Sequence, residues 1–249
     1  MKTLQRYIKE DFKISQNTRK FGSVHVEDQY ELREIIEKRY KQNEKHLDLC
    51  DIDVSNLPDL SLDWRQHFRA GIYGLFQDMI NTETINITGW NTHRVIKMSN
   101  MFRDCKNLRE IKGLEYLNVQ YVIDLFCMFA GCESLKTIDL SNWDLPKINS
   151  INSMFHGCIS LTSVTGISDW DLSKCVNIHR LFYDCPRLEN IDNIDNWDVK
   201  HLYDGGGIKN RCSQVFLNCV SLQYRPTWYE DKQYDTINVH GEETHLHKI

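Results

Sequence analysis

No stretch of about 18 consecutive apolar residues occurs in the 249-residue sequence, which excludes a membrane-spanning helix. The opening MKTLQRYIKEDFKIS is polar and lacks the apolar core of a secretory signal, so a reducing, cytoplasmic setting with free thiols is expected. Basic residues are not in excess: 30 Lys and Arg face 35 Asp and Glu, for a formal net charge of −5. Affinity for phosphate backbones comes from Lys and Arg, and no nucleic-acid motif compensates, so a nucleic-acid partner is not expected. The glycines at 205–207 are followed by no Lys-Ser/Thr ending and match no dinucleotide spacing, so they read as a turn. No cysteine pair has the C-x-x-C spacing of a metal ligand set, Cys127 and Cys132 being the closest pair. The histidines share no frame; His240, His245 and His247 read as part of a solvated tail. Neither a catalytic residue nor a cofactor or metal is expected.

What is present is a repeat. Phenylalanines recur at Phe76, Phe102, Phe129, Phe155, Phe182 and Phe216, spaced by 26, 27, 26, 27 and 34 residues. Three residues after Phe stands Cys105, Cys132, Cys158, Cys185 or Cys219, and six after stands Leu108, Leu135, Leu161, Leu188 or Leu222. Ile85, Ile111, Ile138, Val164 and Ile191 follow at nine. Twelve residues before the next Phe comes Trp90, Leu117, Trp143 or Trp170, with Trp197 in the same register before an insertion. At 41% hydrophobic, the chain has enough apolar surface for a packed core.

Within each copy the period changes. Val95, Met98, Met101, Phe102 and Cys105 fall at the three-and-four spacing of a short inward-facing helix. After the Cys, Leu135-x-x-Ile138-x-Leu140 alternates as a strand. The predicted fold is therefore an α/β repeat, a leucine-rich-repeat-like solenoid of about six 26–27-residue strand-plus-short-helix turns. Seven of the nine cysteines then take inward positions, as small buried free thiols; Cys50 and Cys127 have no assigned place.

Residues 28–41 read as an amphipathic capping helix, with Asp28 and Glu31 at its start and Leu32, Ile35, Ile36 and Tyr40 on one face. Three segments follow: residues 1–45 with the helix, 46–224 with the repeats, and an acidic tail over 225–249. Two insertions interrupt the repeats, LDWRQHFRAGIYG at 62–74 and the segment around His201–Lys209. Loops of this kind often carry binding residues, and Trp64, Arg65, His67, Phe68 and Arg69 have the composition of an interface. The outward strand positions form a mixed polar stripe: Thr84, Asn86, Glu110, Lys112, Thr137, Asp139, Ser163, Thr165, Asn190 and Asp192. Glu110, Lys112, Asp139 and Asp192 join the loop residues as candidate partner contacts.

IDLSNWDLPKINSINSMFHGCISLTSV and ISDWDLSKCVNIHRLFYDCPRLENI resemble BspA-like leucine-rich-repeat proteins. The nearer likeness is to the subgroup first described among mycoplasma surface lipoproteins, whose repeats centre on a "snWdtsnvtnMssMFsgCssL" phrase. ELREIIEKRY followed by LDLCDIDVSNLPDLSLDW resembles the segment preceding the repeats in that subgroup. The likeness covers roughly residues 28–224. It implies a non-enzymatic interaction scaffold that binds another protein through the repeat face or the insertion loops. One specific version is a phage or mobile-element protein that occludes a host protein; the alternative is a bacterial surface adhesin.

Overall fold

A computed structural model describes residues 24–62, 74–202 and 211–229. In chain order the elements are strand β1 (Val24–His25), helix α1 (Gln29–Gln42), and strands β2 (His46–Asp48), β3 (Ile52–Asp53), β4 (Thr84–Asn86) and β5 (Glu110–Lys112). Strands β6 (Thr137–Asp139), β7 (Ser163–Thr165) and β8 (Asn190–Ile191) follow, with 3-10 turns at Leu114–Tyr116 and Lys200–Leu202. Each repeat strand puts one β-branched residue inward between polar neighbours, and Ile85 and Val164 are fully buried. Pairing is parallel and offset by one copy, Ile85 opposite Ile111 and Ile138 opposite Val164.

The expected strand-plus-helix solenoid is not what forms. Among the described residues α1 is the one α-helix, and the strands lie in three small sheets, β1-β3, β2-β4-β5 and β6-β7-β8, with β5 unpaired to β6. The segment read as a short helix is a series of turns. From Phe102 on, the residue two before each Phe is left-handed, at Asn100, Cys127, Ser153, Arg180 and Gln214 (φ 53 to 58°). The residue two after is left-handed as well, at Asp104, Gly131, Gly157, Asp184 and Asn218 (φ 57 to 72°). A right-handed helix cannot run through such residues.

Their effect shows in the hydrogen bonds. The amides of Asn100, Phe102 and Asp104 donate to the carbonyls of Phe126, Met128 and Ala130 in the next copy, at 2.8, 2.9 and 2.7 Å. The intervening amides of Arg103 and Cys105 donate within the copy, to Asn100 and Phe102. An α-helix keeps its amides to itself; this backbone sends alternate ones to its neighbour. The apolar spacing that suggests a helix is real, since Met98, Met101, Phe102 and Cys105 are all fully buried, but turns deliver it.

Ring upon ring, the six phenylalanines stack with centroids 5.1, 5.5, 5.5, 5.3 and 5.6 Å apart and planes within 10°. Beside them the thiols of Cys105, Cys132, Cys158, Cys185 and Cys219 donate to the carbonyls of Phe76, Phe102, Phe129, Phe155 and Phe182, one copy back, at 2.9–3.2 Å. All nine cysteines are free and buried, Cys50 and Cys127 included. Burial pushes the Cys105 and Cys158 thiols up to about 12 and Cys132 and Cys185 well above the ordinary value.

Helix α1 closes the amino-terminal end. Asp28 accepts the Tyr30 and Glu31 amides, the Glu31 carboxylate accepts the Glu27 amide, and Leu32 and Ile36 are fully buried. The carbonyls of Leu75 and Gln77 match those of Met101 and Arg103, which accept the Phe76 and Asp78 amides from the copy before. For Leu75 and Gln77 the donor is the buried Arg33 guanidinium, whose Nη1 lies 2.5 Å from the Leu75 carbonyl, 3.2 Å from Gly74 and 3.3 Å from Gln77. Arg33 stands in for a missing strand of amides. At the other end Trp228 stacks on Trp197 at 6.1 Å, and Tyr229 packs edge-on against Phe216 at 5.0 Å.

Two predictions follow from this packing. Arg33→Met keeps the apolar stem and takes the guanidinium from the Leu75 and Gln77 carbonyls, so it lowers stability by about 1–3 kcal/mol. Glu37→Gln, which touches the i,i+4 ion pair at 3.0 Å but not those carbonyls, costs under about 1 kcal/mol. Equal urea midpoints for Arg33→Met and the parent chain would rule the capping role out. The thiols predict an alkaline limit. Below pH 9 folded and unfolded states both keep the thiol proton; between pH 9 and 12 the unfolded chain releases protons that the fold holds. Stability therefore falls across that window, by about 1.4 kcal/mol per pH unit for each retained thiol. A Cys105→Ala, Cys158→Ala chain should show a slope shallower by about two protons in urea melts from pH 8 to 11; an unchanged slope contradicts it.

Candidate functional site

Two surfaces of the repeats face outward. The first is the strand stripe. Glu110 and Lys112 flank the inward Ile111 on β5, both exposed, with Lys112 Nζ 3.9 Å from Glu110 Oε2. One copy earlier, Glu83 receives Lys45 at 3.1 Å and Arg109 at 3.6 Å, and these cations, Lys45 first, hold its carboxyl below the usual range. His46 Nδ1 lies 2.9 Å from Thr84 Oγ1, and Asn86 Nδ2 donates to Asp48 at 3.1 Å. The stripe is thus laced by polar contacts from copy to copy.

Asp139 and Asp192 sit in the other sheet, beyond the break after β5, and their carboxylates are occupied by the backbone. Asp139 accepts the Ser141 amide at 3.0 Å and the Thr165 hydroxyl at 3.2 Å; the Ser141 hydroxyl and amide hold its carboxyl down. Asp192, half-buried just past β8, accepts the Ile167 amide at 2.9 Å together with the Gly166 amide. These two acids shape turns, while Glu110 and Lys112 pair with each other on the solvent side of their strand. The structure does not gather the four into one cluster. Trp64, Arg65, His67, Phe68 and Arg69 lie outside the described residues, as do the 205–207 glycines and His240, His245 and His247.

The second surface is formed by the turns before each Phe. Ile96, Tyr121, Ile123, Phe126 and Val176 are exposed there, at 36–43%. Sequence reasoning passes over them, because the three-and-four pattern draws attention to Val95, Met98 and Met101 pointing inward. The available signal is the reverse pattern, large apolar residues at outward positions that other copies fill with polar ones, such as Asn149 and Asn152.

Among the described residues no group of three or more His, Cys, Asp and Glu is placed to hold a metal ion. No helix among them is long and apolar enough to cross a membrane. A family model described as "Mycoplasma protein of unknown function, DUF285" matches residues 70–197 and 162–222. No curated protein and no solved structure matches the chain.

Proposed function

Because the chain belongs to the family described as Mycoplasma protein of unknown function, DUF285, we propose that it is a protein-binding scaffold rather than an enzyme. The observation that carries this reading is how the recurring chemical groups are used. The five column thiols hold the carbonyls of neighbouring copies, and Asp139 and Asp192 hold turn amides, so the residues a reaction would recruit are committed to the frame. What the frame offers outward is a fixed series of side chains, two or three per copy, on strands whose inward residues are packed against the core, Ile85 and Val164 fully and Ile111 in part. A rigid display of this kind favours recognition of another folded protein, with little ordering of the surface on binding.

The finer kinship, to BspA-like proteins and their mycoplasma lipoprotein subgroup, belongs with this reading, as does a cytoplasmic place of action. The partner would meet Glu110 and Lys112 on the strand stripe or the 62–74 loop, and a phage or mobile-element protein occluding a host protein is its most specific form.

The test is capture by the tagged full-length chain from lysate of its source organism. It is repeated with Glu110→Lys plus Lys112→Glu, and with residues 62–74 shortened. A retained protein that falls at least fivefold with one of these variants supports the reading. No retained protein, or equal retention by all three chains, overturns it.

A further inference from the structure

The turn surface carries a second, more specific feature. Backbone hydrogen bonds fix Ile96, Ile123, Asn149 and Val176 as one row across four copies: the Ile123 amide donates to the Ile96 carbonyl at 2.9 Å, Asn149 to Ile123 at 2.8 Å, and Val176 to Asn149 at 2.7 Å. Next to it, bridged in parallel, runs the row Lys97, Asp124, Ser150 and Asn177. On the other side, two residues earlier in each copy, stand Arg94, Tyr121, Lys147 and Lys174. An interrupted apolar strip is therefore flanked by four exposed cations. Lys147 Nζ lies over the Tyr121 ring at 4.2 Å, and no acid is ion-paired to Arg94, Lys97, Lys147 or Lys174 among the described residues. The one acid in these rows, Asp124, has its Oδ1 on the Phe126 amide at 2.9 Å.

Single exposed apolar side chains are ordinary on a protein surface; three in one row of four copies, with four cations against the one acid Asp124 in the flanking rows, are not. We infer that this face docks an extended peptide segment of a partner protein that alternates acidic and apolar side chains, an inference that rests on the scaffold reading above. Three steps between four copies at roughly 4.8 Å span about 14 Å, room for four or five extended residues at about 3.3 Å each. The apolar side chains would lie on Ile96, Ile123 and Val176, and the carboxylates would reach Arg94, Lys147 and Lys174. The charge complementarity is specific to this face, since the chain as a whole carries −5. The row itself is two isoleucines and a valine, and the Tyr121 ring beside it is already covered by Lys147, which favours a peptide over a nucleic acid.

The test is fluorescence anisotropy of the full chain with three labelled ten-residue peptides, alternating Glu and Leu, Lys and Leu, or Glu and Ser, and with a labelled ten-nucleotide single-stranded DNA. The Glu–Leu peptide should bind at least tenfold tighter than the other three probes and weaken with added salt. Ile123→Glu and Lys147→Glu, on the apolar and basic rows, should each weaken it at least fivefold; Lys147→Glu changes a solvent-facing side chain and leaves the core intact. No binding of the Glu–Leu peptide, equal binding of the Lys–Leu peptide, tighter binding of the DNA, or indifference to both variants overturns the inference. So does self-association of the parent chain that Ile123→Glu abolishes, because a second copy would then occupy the face. In each of those cases the capture experiment with the stripe and loop variants still decides the scaffold reading independently.

Discussion

Every copy depends on its neighbour for hydrogen bonds it cannot make alone. From Phe102 on, the left-handed residues two before and two after each Phe turn alternate amides out of the copy, so the Phe102 amide, for example, donates to the Met128 carbonyl of the next copy. The Phe carbonyl is shared in the same way. That of Phe129 accepts the Cys132 amide of its own copy and the Cys158 thiol of the next, both at 3.1 Å, which uses both of its lone pairs. An isolated copy would expose these groups to water and lose the ring stack as well. The fold is consequently a property of the series, and the end of the series is where it needs a device of another kind. Arg33 supplies one with a side chain, because a guanidinium carries several donors in a fixed fork and reaches the Leu75 and Gln77 carbonyls that a further copy's amides would otherwise serve.

The alternation of 26 and 27 residues has a local cause. The longer copies carry an extra residue at Gly113 and Gly166, both at positive φ, where a Cβ would run into the backbone of Thr88 and Ser141 in the copy before. The tryptophan column meets these turns one copy back, and Trp90 at its start donates to the Leu49 carbonyl at 3.0 Å. Trp143 and Trp197 donate to the carbonyls of Leu114 and Ile167, which lie in turns of the long copies. Trp170 is laid on the short Phe129 copy, and its buried indole N–H finds no partner. Leu117, the other residue of this column laid on a short repeat copy, has no N–H to satisfy.

Much of this is legible in the sequence. The Phe, Cys, Leu and Trp columns, the strand centres at Ile85, Ile111, Ile138, Val164 and Ile191, and the amphipathic segment at 28–41 all lie where periodicity puts them. The turn segment was not legible, for a physical reason. Spacings of three and four residues identify which side chains face inward, and a helix and a train of turns can share that list. The residues that separate them are the left-handed ones, and at Asn100, Cys127, Ser153, Arg180 and Gln214 five different side chains occupy one backbone state. At that position stacking selects the state from outside the segment; two residues after each Phe the trace is present, since Asp104, Gly131, Gly157, Asp184 and Asn218 are all of the types that enter the left-handed region most readily. The break between β5 and β6 was equally hidden, since Glu110–Lys112 and Thr137–Asp139 obey the same pattern.

The two outward surfaces differ in what the fold already asks of them. On the strand stripe Asp139, Asp192, Asn86 and Thr165 are tied to neighbouring copies, so their polarity has a structural reason and needs no partner to account for it. On the turn surface the reverse holds. Ile96, Ile123 and Val176 point away from the core, Asn149 shows that a polar residue is accommodated in the same row, and packing supplies no reason for the apolar ones. Exposed apolar area carries a hydration cost that burial against a partner removes, at about 25 cal/mol per Å². Where a repeating frame tolerates polar residues and yet carries apolar ones beside unpaired cations, the physical argument for a contact is stronger than on the stripe. The candidate contacts drawn from charge alone are the better-satisfied groups, and the less-satisfied ones lie one turn away.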